Sequence, residues 1–271
     1  MKKTLFISDL DGTLLTPDPS ITPFTVDVIQ RLTQKGMLFS YATARSHHTS
    51  SLLTKGLPTH IPIIVNNGAF ILENGTWKRL HGAYFLKEEA AFILQTLNQQ
   101  GVHPLIYTYL GDIQKYSYLP RHLSRGACNF LINHPEDPRK RPTSSDHLLD
   151  GDVFYFTCID EAKKLYPCYA ALKEQFHCVY QKDMYDGEQW LEIMPQTATK
   201  ACAALRLKEM LGCDTIIAFG DGINDLSLFA VADESYAMGN AAKEVKQAAT
   251  AVIGSNAEDG VARWLLENWD R

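Results

Sequence analysis

The sequence predicts an α/β protein: a doubly wound parallel sheet into which a second, α+β unit is inserted. Strand and helix signals alternate over residues 4–65 and again over 199–269, as is typical of parallel strands joined by helical crossovers. The stretch between them has a different order of signals, with several β-rich runs. We therefore predict a core of residues 1–83 and 191–271 and an inserted domain of residues 84–190.

The first part of the chain supplies the signals for three strands and two helices. Thr22 is typical of a helix N-cap with Pro23 at the first helical position, and Gly36 ends that helix. The remaining predicted elements are strands at 4–8, 37–42 and 61–65 and a helix at 46–55.

The same alternation returns in the last part of the chain, and the middle differs from both. The C-terminal predictions are helices at 199–211, 224–232, 243–249 and 259–269 and strands at 215–219, 235–238 and 251–253. The inserted part predicts helices at 87–100 and 161–175 and β-rich runs at 105–110, 115–119 and 153–159, followed by two more strands. Residues 134–150 form a long polar stretch.

Composition excludes several classes of protein. The chain has 271 residues, and 31 acidic against 26 basic side chains give a formal charge of −5. Hydrophobic residues at 45% and charged residues at 21% are ordinary for a globular protein and exclude wholesale disorder. Because the basic residues form no dense block, no nucleic-acid partner is predicted.

The cellular location is predicted from apolar runs and cysteines. No apolar run reaches the roughly 20 residues that a bilayer span requires, so no membrane partner is predicted. The apolar stretch after Lys3 is interrupted by Asp9, which argues against a secretion signal. Six cysteines without a C-x-x-C pair predict free thiols in the cytoplasm. The oligomeric state is left open.

The first candidate site is the segment D-L-D-G-T at residues 9–13, directly after the first predicted strand. Ligands of open parallel sheets bind outside the carboxyl ends of the strands, and this segment lies at such an end. Asp9 and Asp11 can face the same way from extended backbone, and their repulsion favours a cation or a proton between them. An acidic turn without a ligand is the alternative.

The second candidate site is the segment G-D-G-I-N-D at residues 220–225, after the predicted strand 215–219. Asp225 falls in the first turn of the next helix, where the helix dipole favours a carboxylate, and a simple capping turn is the alternative. Together with Asp9, Asp11 and Asp221 it places four carboxylates at one sheet edge. Oxygen ligands of this kind suit Mg²⁺ with phosphate oxygens, and they predict phosphoryl-transfer chemistry.

Other predicted strand and helix ends carry groups that can hold a phosphate. Thr43 and Ala44 follow the second strand, where a hydroxyl and backbone N–H groups lie near a helix start. Lys200 lies at a helix start, where the dipole disfavours a lysine, so a functional reason is expected. A helix cap and a solvated lysine are the respective alternatives. Asn66 and Asn67 form either a turn or an amide site at the same edge.

These segments, in this order, resemble the motifs of the haloacid dehalogenase superfamily, in its Cof-type phosphatase branch. The resemblance covers essentially the whole chain, and residues 67–69, 191–193 and 237–241 are supporting matches. It implies a Rossmann-like core with a large α+β cap domain inserted after the third strand. It also implies Mg²⁺-dependent hydrolysis of small phosphorylated metabolites such as sugar phosphates.

The resemblance implies a role for each matching residue. Asp9 would be the nucleophile that forms an aspartyl-phosphate, and Asp11 the general acid and base. Mg²⁺ would be held by the carboxylates of Asp9 and Asp221 and the backbone carbonyl of Asp11. Thr13 and Asp225 would support the site. The phosphoryl oxygens would be held by the backbone of Leu10, by Thr43 and Ala44, by Lys200 and by Asn224.

The chain departs from the family pattern at two places. Ala44 stands where the family usually has the glycine of an A-T-G-R segment, and Lys200 lies in a stretch (196–201) without glycine. Both changes concern loop geometry and leave the catalytic groups in place.

Two other functions are weighed against the phosphatase. A phosphomutase or phosphotransferase acting on hexose phosphates differs only in the group that accepts the phosphoryl. A non-enzymatic phospho-receiver module also carries a phosphorylated aspartate on a doubly wound sheet. Asp11 and the inserted domain argue against the receiver, which needs neither a general acid nor a cap.

Overall fold

The computed structural model describes residues 2–182 and 187–269. The chain divides into two compact units, Met1–Gly82 with Ala198–Arg271 (the core unit) and Ala83–Thr197 (the insert unit). Ala83 and residues 191–197 therefore belong to the insert unit and not to the predicted core. The strand at Gln189–Met194 pairs within the insert-unit sheet.

The described residues form strands and helices with the following bounds. The strands are β1 (Thr4–Ser8), β2 (Leu38–Tyr41), β3 (Ile63–Val65), β4 (Phe70–Leu72), β5 (Arg79–Gly82), β6 (Leu105–Leu110), β7 (Ile113–Tyr118), β8 (Lys140–Pro142), β9 (Asp152–Ile159), β10 (His177–Lys182), β11 (Gln189–Met194), β12 (Thr215–Gly220), β13 (Glu234–Ala237) and β14 (Ala251–Val252). The α-helices are α1 (Pro23–Gln34), α2 (His47–Leu53), α3 (Lys87–Gln99), α4 (Arg125–Asn133), α5 (Ala162–Leu172), α6 (Lys200–Leu211), α7 (Leu226–Val231), α8 (Lys243–Ala248) and α9 (Gly260–Asn268).

The core unit is built on a five-stranded parallel sheet in the order β14-β13-β12-β1-β2, which confirms the predicted fold class. β1 is an interior strand of this sheet, and its apolar residues Leu5 and Ile7 are fully buried, as expected where helices cover both faces. α1 begins as predicted, since the Thr22 hydroxyl accepts a hydrogen bond from Thr25 N at 3.0 Å. α1 packs on α9, and α6 on α7.

The third predicted strand pairs differently from the expectation. Ile63–Val65 keeps one parallel bridge to the sheet, between Ala42 and Ile64, but its ladder runs antiparallel to β4, which pairs with β5. β4 and β5 were not predicted. The turn at Asn66–Gly68 sends the chain straight back, so an antiparallel neighbour is the nearest partner.

The insert unit is a six-stranded sheet in the order β10-β11-β9-β6-β7-β8, antiparallel except between β7 and β8. Side chains of α3 and α5, such as Ile93 and Leu165, are buried against Ile106 and Phe156 of the sheet. α4 and β8 were not predicted; β8 lies inside the polar stretch at 134–150. Pairing with β7 holds β8 in place despite its polar sequence.

Two further predictions concern membranes and thiols. Within the described ranges, none of the helices combines the length and apolar character that a bilayer crossing requires. All six cysteines are free thiols, as predicted.

Candidate active site

Asp9 lies at the carboxyl end of the interior strand β1 and is 6% exposed. Its backbone N–H continues the parallel ladder by donating to Phe219 O of β12 at 2.9 Å. Asp221 follows β12 and Thr43 follows β2, the two strands that flank β1. The sheet order therefore brings these three predicted site residues to adjacent strand ends.

Gly12 allows the two acidic segments to meet. It has a left-handed φ of +73°, and a Cβ placed on it would lie 2.2 Å from Oδ2 of Asp221. Next to it, Thr13 Oγ1 donates a hydrogen bond to Asp221 Oδ1 at 2.9 Å. Glycine is required here both for the backbone conformation and for the close approach of the carboxylate.

Lys200 is the first residue of α6, and its side chain is only 1% exposed. Its Nζ donates to Asp9 Oδ1 and to Asp225 Oδ1, both at 2.6 Å. A buried ammonium is costly unless it is paired, and here two carboxylates pair it. Burial lowers the pKa of Lys200, but Asp225 and Asp9 outweigh it and hold that pKa above its usual value. Lys200 is thus not a solvated surface residue.

Asp225 is fully buried, and both of its carboxylate oxygens are engaged. Oδ1 accepts from Lys200, and Oδ2 accepts from the backbone N–H groups of Asp221 and Gly222, each at 3.0 Å. These bonds tie the loop after β12 to the lysine. The arrangement gives Asp225 an orienting position rather than an open ligand position.

The carboxylates of Asp9, Asp221 and Asp225 form a cluster in which one oxygen from each lies within 4.8 Å of the others. Among the described residues, no donor reaches Oδ2 of Asp9 or Oδ2 of Asp221. Burial, as the largest cause, raises the pKa of Asp9 to about 8 and that of Asp221 to about 6. Two open carboxylates that repel each other fit a Mg²⁺ ion, which takes few protein ligands and completes its shell with water.

Asp11 lies outside this cluster, half-exposed, and pairs with Arg45. Arg45 Nε donates to Asp11 Oδ2 at 2.7 Å, and Nη2 donates to Oδ1 at 2.6 Å. Sequence reasoning quoted Arg45 only as part of the Thr43 segment and gave it no role. The available signal was its place in the family's A-T-G-R segment.

The loop after β2 holds the remaining phosphate-site candidates on that side. Thr43 is fully buried, and its Oγ1 accepts a hydrogen bond from Arg45 N at 3.1 Å. Ala44 is exposed and does not have a left-handed φ, so the missing glycine leaves no backbone strain at this position. Leu10 has a buried side chain, and its carbonyl accepts from Leu15 N at 2.8 Å.

Two asparagines brace the segment that carries Asp9 and Asp11. Asn240 Nδ2 donates to Gly12 O at 2.8 Å, and Asn240 Oδ1 accepts from Asn256 N at 3.0 Å. Asn256 Nδ2 in turn donates to Leu15 O at 2.8 Å. Asn240 lies in the segment 237–241, for which the sequence offered a resemblance but no role.

Comparison with known proteins relates the chain to hydrolases. The model of the haloacid dehalogenase-like hydrolase family matches residues 6–265. The chain is similar to a putative phosphatase of Haemophilus influenzae, with 33% identity over 99% of each chain. It is also similar to a 5-amino-6-(5-phospho-D-ribitylamino)uracil phosphatase of Bacillus subtilis, with 28% identity over 98% of this chain and 97% of that protein.

A solved structure matches the chain along nearly its whole length. A haloacid dehalogenase-like hydrolase from Bacteroides thetaiotaomicron superposes with a TM-score of 0.77 at 26% identity. The match covers 98% of this chain and 99% of that one, so both units of the present chain have counterparts there.

Proposed function

The chain belongs to the haloacid dehalogenase-like hydrolases, and on this premise we propose that it is a Mg²⁺-dependent phosphatase acting through an aspartyl-phosphate on Asp9. The chain is a phosphoric monoester hydrolase, since the relatives that match it along nearly its full length are named phosphatases. The observation that carries the proposal is the buried Asp9 carboxylate, which is paired with Lys200 at 2.6 Å and clusters with Asp221.

Two steps account for hydrolysis. An oxygen of the Asp9 carboxylate attacks phosphorus, the bond from phosphorus to the ester oxygen breaks, and Asp11 gives its proton to that leaving oxygen. A water molecule then attacks the phosphorus of the aspartyl-phosphate, and Asp11 takes a proton from this water. The bond between phosphorus and Asp9 breaks, orthophosphate is released, and both carboxyl groups return to their starting forms.

The surrounding residues supply charge and position. Lys200 holds Asp9 in place and offers positive charge to the phosphoryl oxygens, while Asp225 keeps the lysine oriented. Thr43, Asn224 and the backbone of Leu10 and Ala44 are the proposed neutral donors. Asp9, Asp221 and the backbone carbonyl of Asp11 would hold Mg²⁺, which would neutralise the charge of the carboxylates and of the phosphoryl oxygens.

The substrates we propose are small phosphorylated metabolites, with sugar phosphates first. The name of the Bacillus subtilis relative describes a phosphorylated ribityl chain, which is chemically close to a sugar phosphate. We place the enzyme in the cytoplasm, where its six free thiols stay reduced.

The proposal is tested by phosphate release from phosphorylated sugars, nucleotides and cofactors. The panel is run with Mg²⁺, with a chelator, and with Asp9→Asn. We expect turnover that requires Mg²⁺, is abolished in Asp9→Asn, and leaves a hydroxylamine-sensitive phosphate on the parent chain. Turnover by Asp9→Asn at the parent rate would remove Asp9 as the nucleophile. Isomerisation of hexose phosphates without phosphate release would indicate a mutase. Phosphate that stays bound to the protein without turnover would indicate a phospho-receiver.

A further inference from the structure

The turn between β3 and β4 has an uncommon backbone. Asn66, Asn67 and Gly68 are consecutive residues with left-handed φ values of 51°, 53° and 96°. Residues other than glycine rarely adopt this backbone conformation, and it persists only where the surrounding structure holds it in place. Asn66 and Asn67 are nevertheless buried, at 8% and 3% exposure. Contacts with the surrounding segments must therefore hold the turn in this conformation.

The backbone of this turn contacts two of the proposed phosphate-binding segments. Asn67 N donates to Thr43 O at 3.0 Å, which fixes the loop after β2. On the other side, a Cβ placed on Gly68 would lie 2.1 Å from Thr199 O and 2.8 Å from Lys200 N. The start of the lysine-bearing helix therefore rests directly on the turn.

The side chain of Asn67 reaches the third segment. Its Oδ1 accepts a hydrogen bond from Nδ2 of Asn224 at 3.2 Å, between residues 157 positions apart in the chain. An amide nitrogen carries two hydrogens, so this bond fixes the plane of the Asn224 amide and leaves its second N–H for another acceptor. Asn67 thus orients a group that we assign to the phosphoryl oxygens.

We propose that Asn67 is a positioning residue that acts through Asn224, holding its amide in the orientation that binds the phosphoryl group. The left-handed backbone at Asn67 supports the proposal, because it turns the side chain toward Asn224 while the main chain bonds Thr43. The inference rests on the proposed function, since it concerns the same phosphate site.

The test is a double-mutant cycle between Asn67→Gly and Asn224→Ala. Glycine accepts the left-handed φ, so Asn67→Gly removes the side chain without opposing the backbone. The matched control is Asn66→Gly, because Asn66 has the same φ and is also buried, but its side chain makes no hydrogen bond to the proposed phosphate-binding groups among the described residues. The readouts are kcat, KM, the dissociation constant of orthophosphate by calorimetry, and thermal unfolding.

We expect Asn67→Gly to weaken orthophosphate binding and lower kcat/KM about tenfold, and Asn66→Gly to change both less than about twofold. In the Asn224→Ala background, Asn67→Gly should change the orthophosphate dissociation constant and kcat/KM by less than about twofold, because the effects of coupled mutations are not additive. Equal losses in both backgrounds, or no loss in Asn67→Gly, would overturn the inference. A parent chain that hydrolyses no ester overturns the proposed function instead, while the orthophosphate cycle still decides the role of Asn67.

Discussion

Arg45 donates hydrogen bonds to both carboxylate oxygens of Asp11, at 2.7 and 2.6 Å. A guanidinium that meets a carboxylate in this two-point fashion fixes the plane of the carboxylate as well as its distance. Asp11 is the proposed proton donor and is otherwise half-exposed on its loop. Arg45 therefore sets the direction in which Asp11 presents its oxygens.

The first prediction concerns Arg45→Lys, which keeps the charge but loses the two-point geometry. We expect kcat/KM for alkyl phosphates to fall about tenfold or more, since an alkoxide leaving group needs a well-placed proton. For p-nitrophenyl phosphate, whose leaving group needs no proton, we expect a loss below about threefold. Steady-state kinetics with both ester classes measures the difference.

The control for this variant is Arg31→Lys, because Arg31 pairs with Asp27 on the exposed surface of α1. Exposed ion pairs of this kind contribute little to stability, and this one lies away from the proposed site, so the kinetics of Arg31→Lys should match those of the parent. Equal losses for alkyl and aryl esters in Arg45→Lys would contradict the assignment of Arg45 to the proton donor.

The second prediction concerns Gly12→Ala. The added Cβ would lie 2.2 Å from Asp221 Oδ2 at a φ of +73°, so the Asp221 carboxylate and the backbone at residue 12 cannot both keep their positions. We expect Mg²⁺-dependent turnover to fall about 100-fold, because a misplaced ligand loses both metal affinity and substrate alignment. Gly36→Ala is the matched control: Gly36 also has a left-handed φ, +102°, but nothing lies within 4 Å of its added Cβ.

Gly36→Ala should lose about 1–2 kcal/mol of unfolding free energy and keep the parental kcat. Urea unfolding and Mg²⁺ titration of both variants separate the two effects. Parental activity in Gly12→Ala would show that the contact between the two acidic segments is not needed for turnover.

The third prediction concerns Lys200→Met, which removes the charge at similar volume. Asp9 and Asp225 would then be buried without their shared cation, and breaking such a buried pair costs about 3–5 kcal/mol. We expect a lower free energy of unfolding and at least a 100-fold loss of kcat, roughly that of a missing transition-state donor. The control is Lys208→Met on the same helix, where Lys208 Nζ lies 3.7 Å from Asp233 Oδ2 near the surface. This variant should lose less than about 1 kcal/mol of unfolding free energy. Similar stability losses in the two variants would refute the buried ion triad.

The fourth prediction concerns pH. Burial raises the pKa of Asp9 to about 8 and of Asp221 to about 6 in the metal-free fold, against 3.8 for an ordinary aspartate. Between the ordinary pKa of 3.8 and these raised values, the folded chain holds protons that the unfolded chain has lost. The free energy of unfolding of the metal-free protein therefore falls as the pH rises from about 4 to about 8. Mg²⁺ binds the ionised carboxylates, so its affinity should rise with pH until about 8 and then level off.

Calorimetric titration with Mg²⁺ at pH 5.5, 6.5, 7.5 and 8.5 measures that dependence. Titrations in two buffers with different ionisation enthalpies count the protons released, which should be more numerous at pH 5.5 than at 8.5. Thermal unfolding should show a larger stabilisation by Mg²⁺ at the higher pH. An affinity that is flat or falls over this range would mean that Asp9 and Asp221 do not compete with the metal for protons.

Much of the fold was predictable because its signals are local. A buried parallel strand such as β1 is a short apolar run, and α1 carries its own cap at Thr22, so both can be recognised from neighbouring residues. β8 could not, since its sequence is polar and its pairing partner β7 supplies the stabilisation. β3 was found, but its main partner depended on the turn that follows it.

For the site, the sequence by itself determined which chemical groups stand at the carboxyl ends of the strands, because strand ends and acidic segments are adjacent in the chain. Only the tertiary structure decided their partners: Lys200 with Asp9, Arg45 with Asp11, and Asn67 with Asn224. These pairs join residues 191, 34 and 157 positions apart. Their geometry follows from the order of strands in the sheet and from the space between loops, and neither is encoded in a short segment.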